Sequence, residues 1–126
     1  MKSILLVEDD PFLIDIYTTK LKEAGFSIEV ATDGESGLRK LTEKKFDFLV
    51  LDIVLPQIDG WEILRKIKNE KLKIKNLKDL KVVILSNLGQ KEEVEKGVEL
   101  GATKYLIKAH YTPSEVVEEI KKIINE

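Results

Sequence analysis

The sequence predicts an α/β domain built on a parallel sheet covered by helices on both faces. Three observations predict it. Short apolar runs alternate with amphipathic stretches along the whole chain, giving five strands and five helices in strict succession. The strands are apolar without polar alternation, as expected when both faces of a sheet are buried. The 126 residues suit one domain, so we expect a single unit over residues 1–126.

The elements follow in order. Ile4 to Val7 is a continuous β-prone run. Phe12 to Ala24 carries Leu13, Ile16, Tyr17 and Leu21 at helical spacing and stops at Gly25. Ser27 to Ala31 reads as the second strand, and Glu35 to Lys44 as a short helix with Leu38 and Leu41 inward. Phe48 to Leu51 is the third strand. Trp61 to about Asn69 is helical, with Ile63, Leu64 and Ile67 on one side. Val82 to Leu85 is the fourth strand, Glu92 to Leu100 a helix ended by Gly101, and Tyr105 to Ile107 the fifth strand. Thr112-Pro113-Ser114-Glu115 opens the last helix with an N-cap, a first-turn proline and a capping-box glutamate. Val116, Val117, Ile120, Ile123 and Ile124 form its apolar stripe. The lysine-rich stretch from Lys68 to Lys81 reads as a solvated surface segment, either extending the third helix or looping.

Composition removes several classes of function. Hydrophobic residues are 43% and charged residues 35%, enough for one core beneath a charged surface. Lys and Arg total 21 against 23 Asp and Glu, for a net charge of −2, so no global excess points to nucleic acid or an anionic membrane. The absence of cysteine excludes disulfides, thiolate metal sites and cysteine nucleophiles. The apolar start is too short for a signal peptide and is broken by Glu8-Asp9-Asp10. No stretch is long enough to span a bilayer. We expect a cytoplasmic protein with no membrane insertion.

Ligands of open parallel sheets bind beyond the carboxyl ends of the strands. Glu8, Asp9 and Asp10 follow the first strand, Asp52 the third, Ser86 and Asn87 the fourth, and Lys108 the fifth. Thr32-Asp33-Gly34 after the second reads as turn chemistry. Three or four carboxylates, one hydroxyl and one lysine thus converge on one edge. Clustered carboxylates repel, and one lysine is too little to neutralise them. A hard divalent cation is the natural partner, and Mg²⁺ commonly combines one or two carboxylates with a phosphate. Metal, lysine and hydroxyl together suit a phosphoryl group in transfer, with an aspartate as nucleophile. Taken singly, Asp9 or Asp10 reads equally as a helix cap, Asp52 as a turn former and Ser86 as a cap of the fourth helix. Only the conjunction carries the chemistry.

Four segments carry a resemblance: Ile4-Leu5-Leu6-Val7-Glu8-Asp9-Asp10, Leu51-Asp52-Ile53-Val54-Leu55-Pro56-Gln57-Ile58-Asp59-Gly60, Val83-Ile84-Leu85-Ser86 and Tyr105-Leu106-Ile107-Lys108. The chain resembles a response-regulator receiver domain of two-component signalling, similar to the single-domain chemotaxis type. That resemblance implies a doubly wound, flavodoxin-like sheet of order 2-1-3-4-5 in three layers. It implies Asp52 as phosphoacceptor, and Mg²⁺ held by Asp9, Asp52 and the backbone carbonyl of Val54, with Glu8 as an outer acidic residue acting mainly through water. It implies Ser86 as switch hydroxyl, Lys108 as the phosphate-pairing lysine and Tyr105 as switch aromatic. Its partners would be a sensor histidine kinase or phosphotransfer protein and a downstream protein target, with no direct nucleic-acid binding. Phosphorylation would switch the face made by the fourth helix, fifth strand and fifth helix. Such a domain is not an enzyme, although it assists its own Mg²⁺-dependent phosphotransfer and slow hydrolysis.

The sequence departs from that pattern at three places. Ala109 follows Lys108 where the family usually has proline with a cis bond, so this bond is either cis or trans with Lys108 reaching the site differently. Asn87 stands where a small residue is usual, and the Lys68 to Lys81 stretch is long. Val54 and Leu88 are apolar at the positions that would influence hydrolytic water, so slow self-dephosphorylation is expected. Other classes fit less well. A flavodoxin-like redox protein needs a hydroxyl- and glycine-rich phosphate loop where Glu8-Asp9-Asp10-Pro11 stands. An aspartate-based phosphatase needs a second Asp where Val54 stands. A non-phosphorylated pseudo-receiver, serving only as an interaction module, is the alternative that the acidic set argues against.

Overall fold

The structure, a computed structural model, describes residues 2–69 and 74–124. Its elements run β1 (Ser3–Val7), α1 (Pro11–Glu23), β2 (Ser27–Ala31), α2 (Gly34–Glu43), β3 (Phe48–Leu51), α3 (Gly60–Lys68), β4 (Lys81–Ser86), α4 (Lys91–Glu99), β5 (Lys104–Ile107) and α5 (Pro113–Ile124). A single 3₁₀ turn, Lys108–His110, links β5 towards α5. The five strands form one parallel sheet in the order β2-β1-β3-β4-β5.

The pleat divides the core in two. Leu5, Val7, Leu49, Leu51, Val82 and Ile84 face α2 and α3, where Leu38, Leu41, Ile63, Leu64 and Ile67 meet them. Ile4, Leu6, Phe48, Val50, Val83, Leu85 and Leu106 face α1 and α5, where Tyr17, Leu21, Val116, Val117, Ile120 and Ile123 meet them. The side chain of Ile124 lies outside the described residues. Continuous apolar strands are what this two-sided burial requires.

Helix ends follow local chemistry. Asp10 caps α1, its carboxylate accepting from the N–H groups of Phe12 and Leu13. Asp33, read as turn chemistry, caps α2 through Ser36 N–H. Asp59 caps α3 through Glu62 N–H. Thr112 and Glu115 exchange both capping-box hydrogen bonds. Gly25 and Gly101, at φ 96° and 101°, turn the chain out of α1 and α4. Ser86 does not cap α4: there the Glu93 carboxylate accepts from Gln90 N–H.

The lysine-rich stretch is more than a solvated segment. Residues 70–73 lie outside the described residues, but α3 ends at Lys68. Ile74 is then buried in the core, Lys75 N–H donates to the Leu41 carbonyl and Asn76 Nδ2 to the Phe46 carbonyl. The alternating lysines had concealed an apolar anchor.

Candidate functional site

A parallel sheet delivers every strand's carboxyl end to one edge, and register decides how closely those ends meet. Val7 pairs with Leu51, and Leu51 with Ile84, so Glu8 and Asp52 leave adjacent strands side by side. The ladder continues one step beyond the strands, with Asp52 N–H donating to the Val7 carbonyl and Glu8 N–H to the Ala31 carbonyl. Both side chains are nearly closed off, at 2% and 6% exposure for Glu8 and Asp52.

Glu8, Asp9 and Asp52 each offer a carboxylate oxygen, and these atoms lie within 4.8 Å of one another. Lys108 reaches into the same hollow. Its Nζ lies 2.6 Å from Glu8 Oε1 and 2.9 Å from Asp52 Oδ2. The remaining oxygens are partly satisfied: Glu8 Oε2 accepts from Asp10 N–H and Asp52 Oδ1 from Val54 N–H. No peptide bond among the described residues is cis, so Lys108–Ala109 is trans. The 3₁₀ turn that begins at Lys108 nevertheless carries its side chain to both carboxylates.

Burial dominates the electrostatics. It raises the Glu8 carboxyl above its ordinary range, and the Asp52 charge adds to that, against the pull of Lys108. Burial pulls the Lys108 ammonium down, but its hydrogen bonds to Glu8 and Asp52 outweigh this and leave it above the ordinary lysine value. One ammonium between two buried carboxylates, with Asp9 alongside, leaves negative charge in excess. Three hard oxygen donors in that state fit Mg²⁺ and do not fit a soft metal.

The switch residues sit beside this cluster. Ser86 is the last residue of β4 and fully buried. Its Oγ accepts from Leu88 N–H and makes no hydrogen bond to the carboxylates. Tyr105 is half-buried on β5, and its hydroxyl donates to the Leu88 carbonyl. Burial, with the Glu93 and Asp52 charges adding to it, pushes the Tyr105 phenol up to about 12. Asn87 is exposed, while the half-buried Tyr105 ring packs against Gly97. Val54 follows the cluster and is 61% exposed.

Asp10 does not join the acidic cluster: of its two sequence readings the helix cap holds, and α1 uses it so. One feature escaped the sequence reading. Tyr17, read only as core, is buried beneath the site; burial raises its phenol, and it feels the charges of Lys108, Glu8 and Asp52. A hydroxyl-bearing residue at an inward position of the helix after the acidic triplet was the available signal.

Comparison with known proteins agrees with this fold. The alkaline phosphatase synthesis transcriptional regulatory protein PhoP of Bacillus subtilis is 34% identical over 98% of this chain and 48% of its own length. The transcriptional regulatory protein CusR of Escherichia coli is 35% identical over 83% of this chain and 44% of its own. The chain therefore spans about half the length of the curated relatives it matches. A CheY-like receiver domain protein from Methanospirillum hungatei superposes with a TM-score of 0.86 at 26% identity, covering 99% of this chain and 94% of that one. TrrA from Thermotoga maritima, solved in complex with Mg²⁺-BeF, gives a TM-score of 0.81 at 30% identity over 98% of this chain and 99% of its own. The response regulator receiver domain family matches residues 4–121, and the chain belongs to it, as a signalling domain of two-component systems.

Proposed function

We propose that residues 1–126 act as one phosphoryl-accepting receiver, with Asp52 as the acceptor. The carrying observation is the meeting of Glu8, Asp9 and Asp52 within 4.8 Å around the Lys108 ammonium. The donor is a sensor histidine kinase, a phosphotransfer protein or a small acyl phosphate. An oxygen of Asp52 attacks phosphorus, the bond from phosphorus to the donor atom breaks, and the donor leaves with that electron pair. Glu8, Asp9, Asp52 and the Val54 backbone carbonyl would hold Mg²⁺, which neutralises charge on the phosphoryl oxygens when bound. Lys108 exchanges a carboxylate for a phosphoryl oxygen, and Ser86 gives up Leu88 N–H to donate to another. Tyr105 then repacks, and the face of α4, β5 and α5 presents a different surface to a protein target. The chain binds no nucleic acid directly and works in the cytoplasm. Among the described residues no helix is long and apolar enough to cross a membrane.

Incubation with acetyl phosphate and Mg²⁺, followed by intact-mass analysis, tests this reading. A phosphoryl adduct on wild type that requires Mg²⁺ and is absent from Asp52→Asn supports it. No adduct on either protein would favour a pseudo-receiver that serves only as an interaction module. Exposed, apolar Val54 and half-buried Leu88 offer water no hydrogen bond, so the adduct decays slowly. Val54→Asn should shorten its lifetime several-fold.

A further inference from the structure

The chain's single tryptophan lies on α3, directly after the loop that carries Asp52. That loop is tightly closed. Gly60 N–H donates to the Ile53 carbonyl at 2.8 Å, and a Cβ on Gly60 would come within 2.5 Å of the Asp52 carbonyl oxygen. Gly60 thus seats the start of α3, which carries Trp61, directly against the backbone of Asp52 and Ile53. Across the helix boundary, Lys96 of α4 places its Nζ 4.4 Å from the centroid of the Trp61 ring. The next residue, Gly97, is the only buried residue of α4. A Cβ there would stand 2.7 Å from Ile84 and 2.8 Å from the Tyr105 ring. Lys96 thus grips the acceptor loop through Trp61, while its neighbour forms the wall against which Tyr105 packs.

From this continuous contact we infer that Lys96, seated over Trp61, is a positioning residue that ties α4 to the Asp52 loop and so couples the state of Asp52 to the Tyr105 face. The inference rests on the phosphoacceptor reading for what the coupling transmits, but the tie itself exists in the unphosphorylated protein. A movement of the β3–α3 loop reaches Tyr105 by this route without passing through Ser86. The tie is weak enough to be released, since a single cation–π contact between two half-buried side chains contributes modestly and α4 buries no large side chain of its own.

Hydrogen–deuterium exchange tests it with the full chain, comparing wild type, Lys96→Met and Lys96→Arg before and after acetyl phosphate and Mg²⁺. Methionine keeps the length and helix propensity of lysine without the charge, and arginine keeps the cation. In the unphosphorylated state, α4 amides of Lys96→Met should exchange about threefold faster than wild type, the factor such a contact is worth. Amides of β1 and β3 should not change, and Lys96→Arg should behave as wild type. The phosphoryl adduct should form on all three proteins, while the phosphorylation-dependent change in α4 exchange shrinks only in Lys96→Met. Trp61→Leu should loosen α4 in the same way from the other side. Equal α4 exchange in wild type and Lys96→Met would overturn the tie. Faster α4 exchange with an undiminished response to phosphorylation would overturn the coupling. No adduct on wild type would overturn the phosphoacceptor reading, and the coupling with it, while leaving the tie to be judged on the unphosphorylated proteins.

Discussion

The helices on the two sides of β5 are held by different forces. On one side, α5 lays Val116, Val117, Ile120 and Ile123 into the core beside Leu106. On the other, α4 buries only Gly97 and leaves Val98 58% exposed. Its attachments include the Lys96–Trp61 contact, the packing of Tyr105 against Gly97, a hydrogen bond from Lys68 Nζ to the Glu99 carbonyl, and the half-buried Leu100 at its carboxyl end. Burying an aliphatic side chain contributes about 1.5–3 kcal/mol, whereas a half-buried cation–π contact contributes about 0.5–2 kcal/mol and an exposed hydrogen bond about 1 kcal/mol or less. One sheet edge thus carries a permanent helix and a releasable one. A switch belongs on the second, where local opening is cheapest.

The largest expected effect breaks the permanent side. Ile120 has no exposed surface, so Ile120→Ala should lose about 2–5 kcal/mol in urea unfolding, through lost burial and the cavity left behind. The corresponding truncation on α4, Val98→Ala, should stay within about 0.5 kcal/mol of wild type. Comparable losses for the two would erase the contrast.

The next effect acts at the α4 wall. Gly97→Ala places a methyl against the Tyr105 ring and Ile84, an overpacking of about 1–3 kcal/mol, partly offset by the roughly 1 kcal/mol that alanine gains over glycine in a helix. The net loss in urea should be modest, and the displacement of Tyr105 large. Spectroscopic titration should show it: subtracting the curve of Tyr105→Phe isolates Tyr105, whose midpoint should fall from about 12 towards the ordinary tyrosine value. An unmoved midpoint would mean that the ring keeps its place.

The same phenol gives a pH dependence. Its folded value is raised, so the folded protein keeps the proton where the unfolded chain has lost it. Its contribution is complete below the ordinary value of 10 and is lost as pH rises from there through about 12. Lys108, also raised, loses its contribution as pH climbs through and above the ordinary lysine range, in the same sense. Tyr105→Phe should therefore flatten the alkaline loss of stability without abolishing it.

How far these contrasts were legible depends on the kind of contact. The β3 boundaries, Phe48–Leu51, and the α5 stripe came directly from apolar pattern, because burial leaves a local signature. β4 and β5 run further, to Lys81, Ser86 and Lys104, since a strand can end in polar residues that hydrophobic pattern does not register. The acidic edge was legible because parallel topology brings strand ends together whatever the loops do. That Lys108 pairs with Glu8 as well as Asp52 depends on the turn after β5. The meeting of Lys96 with Trp61 depends on how two helices lie against each other. Neither leaves a mark along the chain.

The smallest effect separates the two sides most cleanly. Lys68 is exposed, and its ammonium donates to the Glu99 carbonyl at 2.8 Å, in the last turn of α4 where helix carbonyls lack partners. A cation there is worth about 0.3–1 kcal/mol, and salt screens it. Lys68→Met should thus barely move global unfolding, while amides at the carboxyl end of α4 exchange faster in low salt and match wild type in high salt. The Ile120→Ala loss should persist at both salt concentrations, because hydrophobic burial is not screened. A salt-independent effect at Lys68 would mean that its aliphatic stem holds α4 by packing, and that the releasable side of β5 is more like the permanent one than its charged contacts suggest.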